Sequence, residues 1–202
     1  MTTLPRLCVR KPDGSTFTLS DFRKKLNLVF IVLPELNEPV AQLIRHLAEY
    51  EREPDAAVAT EQDLLRDGFG PEPKFHVIIA EWDTAPVGFA FYFLHYSTWL
   101  GRAGIFLEDL FVKPEFRGKG IGKALLAELA KIAVKNDYYG VKWEVLDWNQ
   151  PAIDFYEKLG AQVRRTWLPV RITGEPLRNL ASQAPTASNM SAENRSSRPD
   201  SV

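Results

Sequence analysis

The fold is decided by one stretch of the chain, residues 107–126, which reads LEDLFVKPEFRGKGIGKALL. Its first part is apolar enough for a buried strand, and its second part is a glycine-rich turn. The residues after this turn place Leu125, Leu126 and Leu129 on one face of a helix. Because another strand is predicted at residues 141–146, the order strand, glycine turn, helix, strand predicts a βαβ unit.

The glycine turn predicts an anion site. The first amides of a helix have no partner within the helix and lie at the positive end of its dipole, so a diphosphate fits there. Glycines let phosphate oxygens approach these amides and permit a positive φ. A dinucleotide fingerprint would need glycine in place of Lys123, and no Gly-Lys-Ser/Thr follows for a nucleoside triphosphate loop. NAD and nucleoside triphosphates are therefore disfavoured.

The rest of the chain predicts strands and helices around this unit. Strands are expected at residues 75–82, 87–96, 103–112 and 167–172, and helices at residues 39–51, 60–66 and 150–158. The first core strand is either residues 7–10 or residues 28–33. These elements predict an α/β (α+β) fold with a central mixed, mostly antiparallel twisted sheet that is flanked by helices.

Composition narrows the function. A chain of 202 residues with 45% hydrophobic residues supports one sizeable domain with tails. A net charge of -1 gives no overall field for nucleic acid or an anionic membrane, and no apolar run approaches the ~20 residues of a membrane helix. Cys8 is the only cysteine, which excludes an intrachain disulfide. We expect a cytoplasmic protein without a nucleic-acid or membrane partner.

Two motifs together carry a family resemblance. The first is the pattern Arg-x-x-Gly-x-Gly after the strand at residues 107–112, and the second is NQPAIDFYEKLGA at residues 149–161. Together they resemble the GNAT superfamily of N-acetyltransferases. Residues 47–51 and 63–70, Tyr96 with Trp99-Leu100-Gly101, and Trp148-Asn149 resemble the branch of diamine (spermidine/spermine) and thialysine acetyltransferases.

The resemblance implies a GNAT fold with acetyl-CoA as co-substrate, a small amine as substrate and a homodimer. We expect an extension or first strand at residues 1–34 and an N-acetyltransferase domain at residues 35–181. Residues 182–202 are rich in Ser, Ala, Asn and Pro and contain no aromatic residue, which predicts a disordered tail. His46, His76 and His95 lack a recognisable partner spacing, so no metal is expected. The residues implied for acetyl-CoA are Leu110, Phe111, Val112, Arg117, Gly118, Lys119, Gly120, Ile121, Gly122, Lys123, Asn149, Gln150, Pro151, Ala152 and Tyr156.

Acetyl transfer needs a deprotonated amine and a proton for the leaving thiolate. Exposing the lone pair of an alkylamine with a pKa near 10.4 costs roughly 4–5 kcal/mol at pH 7, so a base is required. Glu108 is the candidate base, and the resemblance implies transfer through water. Strand alternation places Glu108 and Asp109 on opposite faces. Tyr156 follows Asn149 by two helical turns on the same side, and the resemblance makes it the general acid.

The amine itself is less sharply defined. Residues 49–72 are acidic and either attract a cation or form a solvated helix face. Lys142 would repel a polyamine, and Arg164-Arg165 fills a region where diamine acetyltransferases carry acids, which leaves room for thialysine or lysine. Two other functions stay open: a protein lysine or N-terminal acetyltransferase, and a non-catalytic acyl-CoA-binding module. The residues implied around the amine are Tyr50, Glu51, Glu108, Asp109, Lys142, Trp143 and Glu144.

Overall fold

A computed structural model describes residues 9–10, 16–17, 26–31, 37–68 and 72–185. The strands in these ranges are β1 (Val9–Arg10), β2 (Thr16–Phe17), β3 (Leu26–Ile31), β4 (His76–Trp82), β5 (Ala85–Ser97), β6 (Arg102–Val112) and β7 (Val141–Trp143). The helices are α1 (Asn37–Tyr50), α2 (Glu61–Gly68), α3 (Ile121–Lys135), α4 (Gln150–Lys158) and α5 (Gly174–Ala181). The chain divides into two compact units, Met1–Leu146 and Asp147–Val202.

The first unit contains a five-stranded sheet in the order β3-β4-β5-β6-β7. The pairs β3–β4, β4–β5 and β5–β6 are antiparallel, and β7 runs parallel to β6 after the α3 crossover. The predicted mixed, mostly antiparallel sheet and its βαβ unit are therefore confirmed. Of the two candidate first strands, the later one enters this sheet, because Leu26–Ile31 pairs with β4. Val9–Arg10 pairs instead with β2, and residues 7–8 lie outside the described residues.

The two faces of the sheet are covered by different helices. α1 and α2 bury Leu43, Leu47 and Leu64 against one face, where they meet Phe89 and Phe111. Side chains that alternate with these along the strands point to the other face, which contacts α3. Full burial of one such side chain stabilises the fold by about 1.5–3 kcal/mol. We refer below to the first of these surfaces as the α1/α2 face.

A β-bulge interrupts β6 in its centre. Asp109 lies opposite Phe91 on β5, but the next pair along the ladder joins Leu107 to Tyr92. Glu108 is therefore an extra residue without a partner on β5. A bulge breaks the strict alternation of side chains, so residues 109 and 106 share a face instead of residues 109 and 107.

Local capping explains why several helices begin where the sequence predicted. The Thr60 hydroxyl accepts a hydrogen bond from the amide of Asp63 at 3.2 Å, and the Asp63 carboxylate accepts one from the amide of Thr60 at 2.9 Å. Asn149 Oδ1 accepts a bond from the amide of Ala152 at 3.4 Å and caps α4. Gly160, with φ 89°, follows the end of that helix.

Two predicted strands differ from the structure. The strand expected at residues 167–172 is wrong, because residues 161–173 have no regular structure and Trp167 and Val170 are 69% and 95% exposed. Aromatic and β-branched residues favour a strand only where a pleated neighbour receives them, and Pro169 has no N–H to donate. Helix α5, which follows, was not predicted. β7 ends at Trp143 because its pairing with β6 stops at Leu107, next to the bulge. Residues 186–202 of the predicted tail lie outside the described residues.

Candidate functional site

The glycine turn between β6 and α3 has the backbone conformation of an anion site. Gly118 and Gly120 have φ values of 73° and 84°, in the left-handed region that favours glycine. A Cβ at either position would meet no atom within 4 Å, so conformation and not space requires glycine there. Gly120 caps α3, and the buried side chain of Ile121 anchors its first turn. The amides of residues 121–123 lie at the open end of the helix.

The basic side chains of the turn fix it to its surroundings. Arg117 Nε donates to the carbonyl of Val112 at 2.9 Å, and the guanidinium lies 4.2 Å from the centre of the Tyr50 ring. Lys119 Nζ donates to the carbonyl of Glu115 at 2.9 Å. These contacts connect the turn to the end of α1 and to the end of β6. Lys123 is exposed at the first turn of α3.

The edge of β6 that faces β7 is open over its last residues. The parallel ladder ends at Leu107 and Trp143. The amide of Lys113 donates to Val87 on the β5 side at 2.8 Å. Because backbone groups alternate along a strand, the amides of Leu110 and Val112 point to the β7 side. The open edge therefore carries backbone donors that lead to the glycine turn, while Phe111 is buried in the core.

An acidic cluster lies beside this edge and consists of Glu51, Glu108 and Asp109. Burial, and after it the negative charges of Glu108 and Glu51, raise the pKa of Asp109 to about 7. Burial also raises the pKa of Glu51, which follows α1. Among the described residues the Asp109 carboxylate has no hydrogen bond, whereas Glu108 is exposed at the bulge. A carboxyl whose pKa is strongly raised by desolvation and by neighbouring charges is a frequent feature of functional sites.

An aromatic strip, formed by Phe93, His95 and Phe106, continues the α1/α2 face beyond the acidic cluster. The Phe93 and Phe106 rings stack with centres 5.1 Å apart, and Lys142 Nζ lies 5.7 Å from the centre of the Phe106 ring. Sequence reasoning selected Lys142 but missed Phe93 and Phe106. The alternating aromatics of β5 were a signal for Phe93. No sequence signal identified Phe106, because only the bulge brings its side chain to this face.

The remaining predicted residues lie at the end of β7 and in the second unit. Trp143 is half-buried, and Glu144 is exposed just after the strand. In the second unit, residues 149–152 form the cap and first turn of α4. Tyr156 is buried on the same helix, with its ring centre 5.3 Å from that of Phe155. The structure thus brings the glycine turn, the β6 edge and the acidic cluster together within the first unit.

Comparison with known proteins assigns this arrangement to a family. The Acetyltransferase (GNAT) family matches residues 38–161, a range that includes the sheet from β4 to β7, the glycine turn and α4. The chain belongs to the GNAT acetyltransferase family. It is an acetyl-CoA-dependent N-acetyltransferase, and the fold and the family predicted from the sequence are confirmed.

Individual relatives agree with the predicted branch. A thialysine N-epsilon-acetyltransferase of Bos taurus is 39% identical over 171 residues, which cover 77% of this chain and 100% of the relative. An L-ornithine N5-acetyltransferase of Arabidopsis thaliana is 40% identical over 119 residues, which cover 59% of this chain and 49% of the relative. The diamine and thialysine branch is thereby confirmed.

Solved structures agree on the fold. An integron cassette protein from the mobile metagenome of V. cholerae superimposes with a TM-score of 0.66 and 28% sequence identity, covering 78% of this chain and 98% of that protein. Within the described ranges, no helix has both the length and the apolar character needed to cross a membrane.

Proposed function

We propose that this enzyme transfers the acetyl group of acetyl-CoA to a primary amine of a small molecule by direct attack. The acceptor is a diamine, a polyamine, thialysine or a lysine-like amino acid. The open edge of β6 carries the proposal, because it joins the glycine turn at one end to the acidic cluster at the other. Relatives named for thialysine and L-ornithine support a small amine over a protein substrate.

The residues along the open edge fit acetyl-CoA. The amides of Ile121, Gly122 and Lys123 face the diphosphate, with charge from Arg117 and Lys119. The strand amides of Leu110 and Val112 bind the linear pantetheine arm and orient the thioester carbonyl. Acetyl-CoA supplies the activated acetyl group. In the second unit, the start of α4 (Asn149, Gln150, Pro151 and Ala152) is proposed to bind acetyl-CoA on the family resemblance alone.

The acidic cluster handles the acceptor and its proton. The negative charges of Glu51, Glu108 and Asp109 attract an alkylammonium ion and bind it next to the open edge. Glu108, which the bulge leaves exposed, takes the proton of the amine through water. The pKa of Asp109, about 7, makes this second carboxyl a proton acceptor near neutral pH as well. The free amine is then present where the acetyl group is held.

Tyr156 is the proposed general acid. Its phenol donates a proton to the departing sulfur, so that the products are the N-acetylated amine and CoA thiol. In Tyr156→Phe we expect kcat to fall about 100-fold while the KM for the amine changes little. The exposed Tyr96→Phe is the matched control. Full turnover by Tyr156→Phe with every accepted amine would remove Tyr156 from this role.

The test of the function is the release of CoA thiol with a panel of acceptors. The panel contains spermidine, spermine, lysine, thialysine, ornithine and lysine-containing peptides. We expect release with small amines and none with peptides. Turnover of peptides alone would replace the proposed function with protein acetylation, and no release with any acceptor would contradict it.

We further propose that the enzyme is a homodimer in the cytoplasm. The family resemblance supports the dimer, and the single Cys8 supports a reducing compartment. Light scattering on the eluted protein should give twice the chain mass of 22.9 kDa, and a monomeric mass would contradict the dimer.

A further inference from the structure

The α1/α2 face extends past the end of α1 as a continuous strip over three strands. Phe91, Phe93 and His95 alternate along β5 on this face, and Phe91 lies opposite Asp109. Beyond the bulge, Phe106 pairs with Phe93 and therefore shares the same face. Lys142 on β7 pairs with Phe106 in the parallel ladder. Asp109 of the acidic cluster, the aromatic strip and Lys142 thus follow one another on one surface.

The two ends of this surface carry opposite charge. Glu51, Glu108 and Asp109 lie at one end, and the ammonium of the exposed Lys142 lies over the Phe106 ring at the other. No carboxylate among the described residues is within ion-pair distance of Lys142. Desolvation, and then the charge of Lys142, lower the pKa of His95, so Lys142 supplies the positive charge at neutral pH.

The separation of these charges suits a bifunctional acceptor. Asp109 and Phe106 are three residues apart on a bulged strand, and Lys142 is one strand further, so the backbones of Asp109 and Lys142 are about 10 Å apart. An aliphatic amino acid with a terminal amine, together with the side chain of Lys142, spans this distance. Its methylene groups would cover the Phe93 and Phe106 rings, which are already half-buried.

We propose that Lys142 binds the carboxylate of the acceptor and thereby selects an amino acid over a diamine of equal length. This inference rests on the proposed function and specifies its substrate. The carboxylate of an amino acid gains a charge-assisted hydrogen bond from the Lys142 ammonium, and this attraction offsets the repulsion of the second ammonium, which lysine and the diamine share. The sequence analysis found that the charge of Lys142 would repel a polyamine. In this proposal the same charge makes Lys142 the residue that determines specificity.

The test uses two acceptors that differ by a single group, L-lysine and 1,5-diaminopentane. In the wild type we expect kcat/KM to be higher for lysine. Lys142→Met should lower the ratio of the two kcat/KM values about 10–100-fold, mainly through the KM for lysine. Lys142→Arg should keep the ratio, and Lys142→Glu should reverse the preference. Lys135→Met, an exposed substitution in the last turn of α3, is the matched control.

The outcomes separate this inference from the function on which it rests. If lysine and 1,5-diaminopentane are both acetylated but Lys142→Met leaves their ratio unchanged, the role of Lys142 is wrong and the acetyltransferase function stands. A wild type that prefers 1,5-diaminopentane also overturns the role. If no amine of the wider panel is acetylated, the proposed function fails first. Because Lys142 is exposed, we expect the wild type and Lys142→Met to have equal melting temperatures. Equal melting temperatures would show that a kinetic change comes from binding and not from loss of stability.

Discussion

The glycine turn and the aromatic strip are the two proposed binding surfaces of the first unit, and they are built in different ways. The turn is formed by consecutive residues, and its binding groups are backbone amides set by Gly118 and Gly120. The strip is formed by side chains from two strands, β5 and β6, and a bulge at Glu108 determines which of them share a face. The proposed cofactor site therefore depends on local conformation, whereas the proposed acceptor site depends on the register of the sheet.

The largest expected effect is on kcat and comes from a substitution at the bulge, which lies between the glycine turn and the aromatic strip. Glu108→Gln removes the proposed base without changing the shape of the bulge, and we expect kcat to fall about 100–10,000-fold. The KM for acetyl-CoA should stay the same, because the backbone of β6 is unchanged. Steady-state kinetics measure both parameters. Glu49→Gln is the control, because Glu49 is an exposed acid on α1. An active Glu108→Gln would transfer the role of base to Asp109.

The next effect isolates the glycine turn. Gly120→Val places a β-branched residue at φ 84°, which costs about 1–2 kcal/mol and displaces the first turn of α3. We expect the KM for acetyl-CoA to rise about 10–100-fold and the KM for the amine to remain the same. Gly101→Val is the matched control, because Gly101 also has a positive φ and open space around it but lies in the β5–β6 hairpin. An equal rise in both variants would refute a binding role for the turn.

The same contrast decides how much could be predicted from sequence. The glycine turn, the cap at Asn149 and the helix that leads from the turn are local patterns, and each was predicted correctly. The bulge at Glu108 has no local sequence pattern. The position of Phe106 on the same face of the sheet as Asp109 could therefore not be predicted from the sequence. The strand predicted at residues 167–172 failed for a related reason, since a strand needs a partner that the segment itself does not specify.

A third prediction sharpens the electrostatic side of the comparison. The pKa of Asp109 rises from 3.8 to about 7 on folding, so the folded protein loses stability as the pH rises from about 4 to 7. Asp109→Asn removes this loss, and we expect it to raise the free energy of unfolding by about 2 kcal/mol at pH 8 and by almost nothing at pH 4. Urea unfolding at both pH values measures the difference. A variant that is less stable at pH 8 would contradict the burial of an unpaired carboxylate.

The smallest effect tests a helix that packs on the same face without forming part of either surface. Thr60→Val removes the hydroxyl that caps α2 and should lower the free energy of unfolding by about 1 kcal/mol. Neither KM should change, since α2 contributes Leu64 to the core and no residue to the two surfaces. Thr98→Val, in the exposed hairpin loop, is the control for the loss of a hydroxyl. A changed KM for the amine would extend the acceptor site to α2.

The extra residue at Glu108 also has a consequence for exchanging specificity between relatives. On its C-terminal side, odd-numbered residues of β6 lie on the α1/α2 face, and on its N-terminal side even-numbered residues do so. A graft that transplants an acceptor site must therefore carry the bulge together with Phe106 and the facing part of β5. A regular ladder of unchanged length, in which Glu108 paired with Tyr92, would turn Phe106 to the face opposite Asp109, whereas deletion of Glu108 would remove the bulge and keep the two residues on one face.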